Sequence, residues 1–591
     1  MVTDSHPVRR EAAVDTLATM IQRHASRTPT QPACVMLGRD GQPVETLTYG
    51  DLDRRARSVA AALRRRTTQG DRVLVWQPSG LDFVISFFGC AYAGLVAVPI
   101  PYPESLTGGT RFLSRVQSIV KDASPVLALT TPAAAELRSQ YDLGGLELAT
   151  VDQLTRTPAE EWTASDTAAS DLAFLQYTSG STSAPKGAMI AHENVLENFA
   201  AVAGAMRVST DPAIAARFRT VSWLPLFHDM GLAKLLLPMY LGGTAVLMAP
   251  TTFIMRPLVW LEAIDRHRAV MCSAPNFAYD LCVTRTTPEQ RERLDLSCWE
   301  YALNGAEPVR AESLERFRQA FRPAGFRDTA FMPCYGLAEA TVYVSGGRRP
   351  EDRRLVTVDS DLLEDKGIVR EDPGAQRKLV PCGRVPENLT VRIVDPQTCE
   401  PCPPDKVGEI WVAGASIAQG YWGQPEATAA KFHWKVPGVA GSFLRTGDLG
   451  FFSEGHLIIL GRLDDLIIID GRNHYPSDVE LTVTASHPAL ASNRCAAFRY
   501  EVDGESRLGV VAEVARRFRV VPDGPAESRK SGEVTEAELL QAVRQRVAEE
   551  HQLGVAAVTL LKPGGLPTTT SGKVQRRHSR QLFLEGALRT W

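Results

Sequence analysis

Short apolar runs alternate with helix-like segments along most of this chain. "DRVLVWQ" at 71–77 precedes the helical pattern "GLDFVISFFGCAYAG" at 80–94, which leads into "LVAVPI" at 95–100. The same succession returns between 220 and 250, where "TVSWLPL", "DMGLAKLLLPMYLGG" and "TAVLMAP" follow one another. Buried strands connected by helices are typical of a largely parallel sheet. The pattern therefore predicts an α/β fold of layered, mostly parallel sheets and helices.

A domain boundary is expected within "GRLDDLIIIDGRNHYPSDVE" at 461–480. The 591 residues exceed what one hydrophobic core normally serves, so more than one domain is needed. In this stretch a strand-like run meets Asp470 and Gly471, a pair that favours a hairpin turn. Ser477 and Glu480 then have the spacing of a helix capping box.

We therefore predict a large N-terminal domain at 1–462 and a small, mobile α+β domain at 463–591. A chain segment of the latter length is a normal domain size. The stretch near 348–380 is densely charged and lies between apolar segments, so it is predicted to be a surface insertion in the large domain.

Charge and hydropathy exclude some classes of partner. The chain has 65 Lys and Arg against 68 Asp and Glu, a formal net charge of −3, which is unlike a general nucleic-acid-binding protein. The N-terminal stretch has no apolar core of a signal peptide. The longest apolar runs are shorter than the about 20 residues that cross a bilayer. We predict a cytoplasmic protein that is not an integral membrane protein and has no nucleic-acid partner.

The stretch "YTSGSTSAPKG" at 177–187 is rich in hydroxyl side chains and contains a single lysine, Lys186. Glycine lets backbone amides approach a ligand closely, and lysine adds a mobile positive charge suited to phosphate. The stretch is not a Walker A loop, because that motif needs Gly-Lys-Ser/Thr and Lys186 stands between Pro185 and Gly187. By itself it indicates either an anion-binding loop or an ordinary turn.

Five segments together resemble the adenylate-forming superfamily, which contains acyl-CoA synthetases, peptide-synthetase adenylation domains and luciferases. They are "YTSGSTSAPKG", "LNGAEPV" at 303–309, "CYGLAEAT" at 334–341, "RTGDLG" at 445–450 and "PTTTSGKVQRR" at 567–577. With "GRLDD" at 461–465, the resemblance covers the chain nearly from end to end.

Further segments are similar to those of one branch, the fatty acyl-AMP ligases. These are "SWLPLFHDMGL" at 222–232, "DGRNHYPSDVE" at 470–480 and the charged insertion. The lysine of the first segment is often replaced in that branch, whereas Lys186 is present here.

The resemblance implies an enzyme that joins a medium- to long-chain fatty acid to AMP, using ATP and Mg²⁺ and releasing pyrophosphate. The acyl group would then pass to the phosphopantetheine thiol of an acyl carrier protein. Positioning and electrostatic stabilisation supply most of the catalysis in such chemistry. Two alternatives stay open: a fatty acyl-CoA ligase with the same first step, and a non-catalytic adenylate-binding scaffold.

The resemblance also assigns roles to single residues. Lys573 would bridge the substrate carboxylate and the α-phosphate, Glu339 would bind Mg²⁺, Tyr335 would face adenine, Asp448 would accept hydrogen bonds from the ribose hydroxyls, and Arg462 would reach ribose or phosphate. The full set implied to bind nucleotide is Thr178, Ser179, Gly180, Ser181, Thr182, Lys186, Gly305, Ala306, Glu307, Tyr335, Gly336, Ala338, Asp448, Arg462 and Lys573.

Two further residues have implied roles outside nucleotide binding. Asp464, in "GRLDD", would be the hinge about which the small domain rotates between the two half-reactions. His228, in "FHDMG", would either line the acyl or thiol passage as a catalytic-site residue or be a structural histidine. The apolar segment around it and "SAPNFAYDL" at 273–281 are predicted to wall the acyl pocket.

Overall fold

The computed structural model describes residues 15–103, 110–136, 143, 145–177, 185–208, 217–347, 354–375, 377–502, 504–522, 529–569 and 572–591. The chain divides into two compact units. The first comprises Met1–Arg354, Cys382–Val391 and Trp411–Thr446, and the second comprises Leu355–Pro381, Arg392–Ile410 and Gly447–Trp591. The predicted boundary at 462/463 and the assignment of 348–380 to the large domain stay predictions.

The first unit contains a sheet of eight described strands. In spatial order they are Ser345–Gly346, Phe331–Tyr335, Tyr301–Asn304, Met271–Ala274, Arg219–Ser222, Thr244–Leu247, Pro32–Leu37 and Pro43–Thr48. The inner strands run parallel, and the two outermost pairs are antiparallel. Parallel strands need helical crossovers on their faces, which is why both faces of these strands are apolar.

A second sheet of the same unit has six described strands. Their order is Glu147–Thr150, Leu127–Thr130, Arg72–Val75, Val96–Pro99, Leu172–Tyr177 and Gly187–Ala191. All neighbours are parallel except the last two strands, which are antiparallel. The predicted α/β class with layered, mostly parallel sheets is therefore confirmed.

The helices of the first unit connect these strands. They are Leu17–Arg27, Tyr49–Arg64, Leu81–Ala93, Thr110–Ala123, Pro132–Glu136, Val151–Leu154, His192–Met206, Asp229–Leu241, Pro250–Met255, Leu258–His267, Asn276–Arg285, Pro288–Glu292, Ala311–Phe321 and Pro425–Lys431. Leu81–Ala93 is buried at nearly every position, because its residues are apolar on all sides. It ends at Gly94, whose φ of 72° only glycine adopts readily.

An aromatic cluster supports one end of the eight-stranded sheet. The rings of Trp260 and Trp299 lie 5.2 Å apart, and that of Phe317 lies 5.0 Å from the ring of Tyr279. Phe331, the first residue of its strand, packs on the same cluster. Large buried rings fix their neighbours through many contacts. The cluster therefore holds the strands that lead into "LNGAEPV" and "CYGLAEAT".

The second unit is built around a three-stranded sheet of Leu490–Val502, Glu505–Val514 and Val555–Leu561. Its helices are Ser360–Lys366, Pro476–Ser486, Glu536–His551 and Arg576–Leu584. Short paired strands are Val356–Thr357 with Lys378–Leu379, Ile467–Ile469 with Arg472–His474, and Arg519–Val521 with Glu533–Thr535. The α+β character predicted for the C-terminal segment is confirmed.

The remaining strands are Leu389–Val394, Gly408–Gly414, Trp434–Val436, Val439–Ser453 and His456–Arg462. The long strand Val439–Ser453 pairs antiparallel with Trp434–Val436 near its start and with His456–Arg462 near its end.

The stretch 461–480 folds partly as predicted. Asp470 and Gly471, with φ of 52° and 79°, form the turn of the hairpin 467–474. The capping box predicted at Ser477 is wrong, since the helix begins at Pro476 with Tyr475 as its N-cap. Proline suits the first helical position because the missing N–H has no partner there in any case.

Candidate active site

Two predicted nucleotide-binding segments leave neighbouring parallel strands at the same sheet edge. Strand Tyr301–Asn304 leads into Gly305, and strand Phe331–Tyr335 leads into Gly336. The two strands are in register, with Leu303 opposite Met332. Ligands of α/β sheets bind at the carboxyl ends of such strands. The structure therefore brings together the predicted residues of both segments.

Close packing of the backbone explains why glycine is needed at positions 305 and 336. A β-carbon on Gly305 would lie 2.8 Å from the carbonyl oxygen of Cys334, and one on Gly336 would collide with the carbonyl of Val342. Ala306, next to Gly305, has a φ of 74°, a left-handed value that is uncommon for alanine. Strained backbone of this kind concentrates at functional sites.

The neighbouring predicted residues are anchored rather than loosely placed. Oε1 of Glu307 accepts a 2.9 Å hydrogen bond from the backbone N–H of Asn276, the first residue of helix Asn276–Arg285. Tyr335 exposes 8% of its surface, and its carbonyl accepts from the N–H of Val344. Ala338 is buried in the short 3-10 helix Ala338–Ala340, which carries Glu339 at its centre.

Glu339 is held from two sides. Its Oε1 accepts a 2.7 Å hydrogen bond from the hydroxyl of Tyr421, and its carbonyl accepts from the N–H of Ala418. Two carboxylate oxygens have several lone-pair directions, so one hydrogen bond to Oε1 leaves acceptor capacity. A hard, partly buried carboxylate of this kind fits Mg²⁺, which binds one or two carboxylates together with substrate phosphates.

The turn after Glu339 is strained and firmly supported. Thr341 has φ 68° and ψ −59°, and the N–H of Val342 donates to the carbonyl of Ala340. This geometry is a γ-turn of the rare, strained kind. The hydroxyl of Thr341 donates to the carbonyl of Ser416 at 2.7 Å, and Asn198 bonds the carbonyls of Ala340 and Tyr343.

Lys186 lies beside this arrangement. Its Nζ stands 5.2 Å from the ring centre of Tyr421, a cation–π distance. Pro185 is fixed because its carbonyl accepts from Nε2 of Gln424. Strand Gly187–Ala191 follows the lysine directly, whereas a helix follows the lysine of a Walker A loop.

The other predicted phosphate-loop residues lie outside the described part of the chain. They are Thr178, Ser179, Gly180, Ser181 and Thr182. The strands on either side of them pair antiparallel, with Tyr177 opposite Gly187.

In the second unit, Asp448 and Arg462 are direct partners on two antiparallel strands. Nε of Arg462 lies 3.2 Å from Oδ1 of Asp448. The carboxylate side chain is mostly buried, and about half of the arginine side chain is exposed. The pair places a carboxylate and a guanidinium side by side, as recognition of ribose and phosphate would need.

Lys573, in the second unit, is hydrogen-bonded through its backbone to Thr569. Its carbonyl accepts from the N–H of Thr569 at 2.7 Å, and its N–H donates to the hydroxyl of Thr569 at 3.1 Å. Asp464 lies at the centre of the 3-10 helix Leu463–Asp465, and its carboxylate pairs with Arg577 at 2.6 Å.

His228 is the N-cap residue of helix Asp229–Leu241, and its carbonyl accepts from the N–H of Leu232. Its Nδ1 lies 2.5 Å from Oδ1 of Asp229. These contacts orient the ring, and both interpretations of this residue remain predictions.

Sequence reasoning missed Tyr421, Thr341 and Asn198. Tyr421 lies outside the five segments, in "GYWGQPEAT", and nothing local marks it as a partner of Glu339. Thr341 belongs to a quoted segment, and a β-branched residue beside an alanine-rich turn carries no signal of a positive φ.

Among the described residues, no helix is both long and apolar enough to span a membrane.

Comparison with known proteins gives a consistent result. Residues 21–422 match the family described as AMP-binding enzyme. The medium-chain-fatty-acid–acyl-carrier-protein ligase JamA of Moorena producens (strain JHB) is 40% identical over 98% of this chain and 96% of its own. The 4-hydroxyphenylalkanoate adenylyltransferase of Mycobacterium tuberculosis is 36% identical over 96% of this chain and 91% of its own.

A solved structure from a study of fatty acyl-adenylate ligases of E. coli and L. pneumophila has the same fold. It superposes with a TM-score of 0.85 at 30% identity, covering 98% of this chain and 99% of that one.

Proposed function

This chain belongs to the AMP-binding enzymes and, within them, to the fatty acyl-AMP ligases, and we propose that it loads a medium- to long-chain fatty acid onto an acyl carrier protein by way of acyl-AMP. The observation that carries the proposal is the Glu339 carboxylate, fixed by Tyr421 beside Lys186. The proposed location is the cytoplasm.

In the first half-reaction, a carboxylate oxygen of the acid forms a bond to the α-phosphorus of ATP. The bond from that phosphorus to the bridging oxygen breaks, and pyrophosphate leaves with the electron pair. Two anions must approach each other, so catalysis needs positive charge at fixed positions. We assign Lys573 to the carboxylate and α-phosphate, and Lys186 to the other phosphates.

Glu339 is the proposed Mg²⁺ ligand. When bound, the ion would neutralise phosphate charge. Tyr421 keeps the carboxylate oriented through its hydroxyl, and the strained turn at Thr341 fixes the backbone behind it. Orientation of a ligand by its own hydrogen-bond partner is a general requirement of metal sites.

The remaining roles concern the nucleoside. Tyr335 would face adenine, with the backbone of Gly305, Ala306 and Glu307 on the opposite side. Asp448 would accept from the ribose hydroxyls, and Arg462 would bind ribose or phosphate.

In the second half-reaction, the phosphopantetheine sulfur bonds to the acyl carbonyl carbon. The bond from that carbon to the phosphate oxygen breaks, AMP leaves, and the thiol proton is released to solvent. The proposal places the change between the two half-reactions at the hinge residue Asp464. Hinges are a few element-terminal residues that absorb backbone rotation.

Contacts of the charged insertion favour a carrier protein over coenzyme A as the acceptor. Arg472, in the hairpin 467–474, pairs with Asp361 at 3.0 Å and with Asp365 at 2.6 Å, both in helix Ser360–Lys366. Arg377 pairs with Asp478 at 2.5 Å. An insertion bound to the start of the small domain would restrict the movement that a free CoA thiol requires.

Two measurements test the proposal. ATP–pyrophosphate exchange that depends on a fatty acid and Mg²⁺ is expected, and its absence would favour the non-catalytic scaffold. Incubation with ATP, labelled laurate and either CoA or a holo carrier protein should label the carrier protein. Rapid formation of lauroyl-CoA would favour the CoA ligase instead.

A further inference from the structure

A lysine is buried in the middle of an apolar helix. Lys234 belongs to helix Asp229–Leu241, is followed by Leu235, Leu236 and Leu237, and exposes 4% of its surface. Lysine is almost never fully buried unless it is paired. The first half-reaction assigned above does not use this side chain.

The position of Lys234 is set by strands of the eight-stranded sheet. Its carbonyl accepts a 3.1 Å hydrogen bond from the hydroxyl of Thr220, so the helix lies on the side of the sheet to which Thr220 points. Cys334 directly precedes Tyr335, at the strand end from which the segment proposed to face adenine leaves.

A second buried polar group shares that side of the sheet. Ser273 exposes 3% of its surface, and its hydroxyl has no hydrogen-bond partner among the described residues. Met271 is opposite Thr220, and side chains alternate along a strand, so Ser273 and Thr220 point the same way. Ser273 is also opposite Leu303, and Leu303 is opposite Met332, which places Cys334 on this side too.

Nothing in the described part of the chain accepts a hydrogen bond or ion pair from Nζ of Lys234. Burial lowers the pKa of Lys234 to about 8, so the amine is still mostly protonated near neutral pH. An ammonium group without a hydrogen-bond partner on a nearly buried residue and the buried, unpartnered hydroxyl of Ser273 are both unfavourable, and native proteins keep such groups for a reason. A ligand that brings an oxygen atom would satisfy both groups.

We infer that Lys234, together with Ser273, is a specificity-determining pair that receives a second oxygen function of the acyl chain, apart from the reacting carboxylate. The preferred acids are then hydroxy, keto or dicarboxylic acids rather than plain alkanoic acids. The inference rests on the proposed function, because it names the substrate class of the same site.

Two other roles for Lys234 make different predictions. A lysine that held the reacting carboxylate would serve all acids equally, and its loss would slow activation of every acid by the same factor. A purely structural lysine would affect stability and leave the ranking of acids unchanged. Only a specificity role changes the ranking.

The test measures ATP–pyrophosphate exchange with dodecanoic, 3-hydroxydodecanoic, 12-hydroxydodecanoic and dodecanedioic acids. The wild-type protein should show a kcat/KM at least about tenfold higher for one oxygenated acid than for dodecanoic acid, since unpaired polar groups discriminate strongly against an analogue that lacks their partner. Lys234→Met should remove this preference and retain activity with dodecanoic acid. Ser273→Ala should weaken the preference, and Lys121→Met, at an exposed lysine, should leave it unchanged.

The outcomes distinguish a failure of the proposed function from a failure of the present inference alone. Exchange with none of the acids would overturn the proposed function. Exchange with dodecanoic acid, without preference for any oxygenated acid, would overturn only the present inference, as would an equal loss for all acids in Lys234→Met. If Lys234→Met fails to fold, the test uses Lys234→Gln and Ser273→Ala instead. In these variants too, kcat/KM for the oxygenated acids is compared with kcat/KM for dodecanoic acid.

Discussion

The hydroxyl of Tyr421 donates a 2.7 Å hydrogen bond to Oε1 of Glu339, a residue 82 positions earlier in the chain. The same ring faces Nζ of Lys186 at 5.2 Å. One tyrosine therefore connects the proposed Mg²⁺ ligand with Lys186, the proposed phosphate-binding lysine.

Tyr421→Phe should raise the Mg²⁺ concentration needed for half-maximal exchange by about 10- to 100-fold, the usual effect of losing a hydrogen bond to a metal ligand. The ring is retained, so the cation–π contact with Lys186 remains. The measurement is a Mg²⁺ titration of ATP–pyrophosphate exchange. Tyr92→Phe is the matched control, because Tyr92 is buried in the same unit and donates to Asp53 at 2.8 Å. An unchanged titration in Tyr421→Phe would contradict the orienting role.

Asp448→Asn should weaken ATP binding by at least about tenfold while the unfolding temperature changes little. The carboxylate is the proposed acceptor for two ribose hydroxyls, whereas its pair with the half-exposed Arg462 is worth only about 0–1 kcal/mol. Calorimetric titration with a non-hydrolysable ATP analogue measures the first effect, and thermal unfolding measures the second.

The control for that variant is Asp395→Asn. Asp395 pairs with Lys406 at the same distance of 3.2 Å in the same unit, and it has no proposed role in binding. If both variants bound the analogue as tightly as the wild-type protein, the ribose assignment would be wrong.

Lys573→Ala should slow acyl-AMP formation by about 10²- to 10³-fold, the usual effect of removing one preorganised charge-stabilising group. Transfer of the acyl group from chemically prepared acyl-AMP to a holo carrier protein should be retained, because the role proposed for Lys573 is confined to adenylation. Lys562→Ala removes an exposed lysine of the same unit and should leave both steps unchanged. Loss of transfer together with adenylation would point to a structural role.

The layers of this fold could be predicted because their signals are local. Apolar runs of strand length separated by helical patterns indicated the parallel sheets, and Asp470 with Gly471 indicated the hairpin at 467–474. Positive φ at both turn residues is a property of the residues themselves, so it shows in the sequence.

The parts that could not be predicted depend on distant partners. Glu480 does not cap its own helix, because its carboxylate accepts from Arg576, 96 residues away, at 2.6 and 2.8 Å. Asn198 supports the turn after Glu339 from about 145 residues earlier. Neither contact leaves a mark in the local sequence, since an asparagine and a glutamate are common on helix surfaces.

Stability of the first unit should fall as pH decreases from 6.5 to 4. His192 is buried, its Nδ1 accepts from the N–H of Leu17, and desolvation lowers its pKa from 6.5 to about 4. Between these values the unfolded chain binds a proton that the folded protein does not, so stability is present above pH 6.5 and is lost toward pH 4. The loss amounts to about 3 kcal/mol for a shift of this size.

His192→Asn keeps an acceptor for Leu17 and removes the titration. Thermal unfolding at pH 7.0 and 5.0 should therefore show a smaller pH-dependent decrease in the variant than in the wild-type protein. His433→Asn, at an exposed histidine, should behave like the wild-type protein. Identical pH dependence in all three proteins would mean that His192 is not held neutral by burial.

Asp464→Pro should spare adenylation and block transfer to the carrier protein. Asp464 lies in a 3-10 helix, where φ is about −50 to −70°, and proline fixes φ near −65°. The substitution therefore removes the freedom of φ at this residue and opposes a backbone rotation there. Asp464→Asn removes the pair with Arg577 but keeps backbone freedom, so both half-reactions should continue. Single-turnover assays of acyl-AMP formation and of carrier acylation measure the two steps separately. If the proline variant lost both steps equally, or lost neither, Asp464 would not be the hinge.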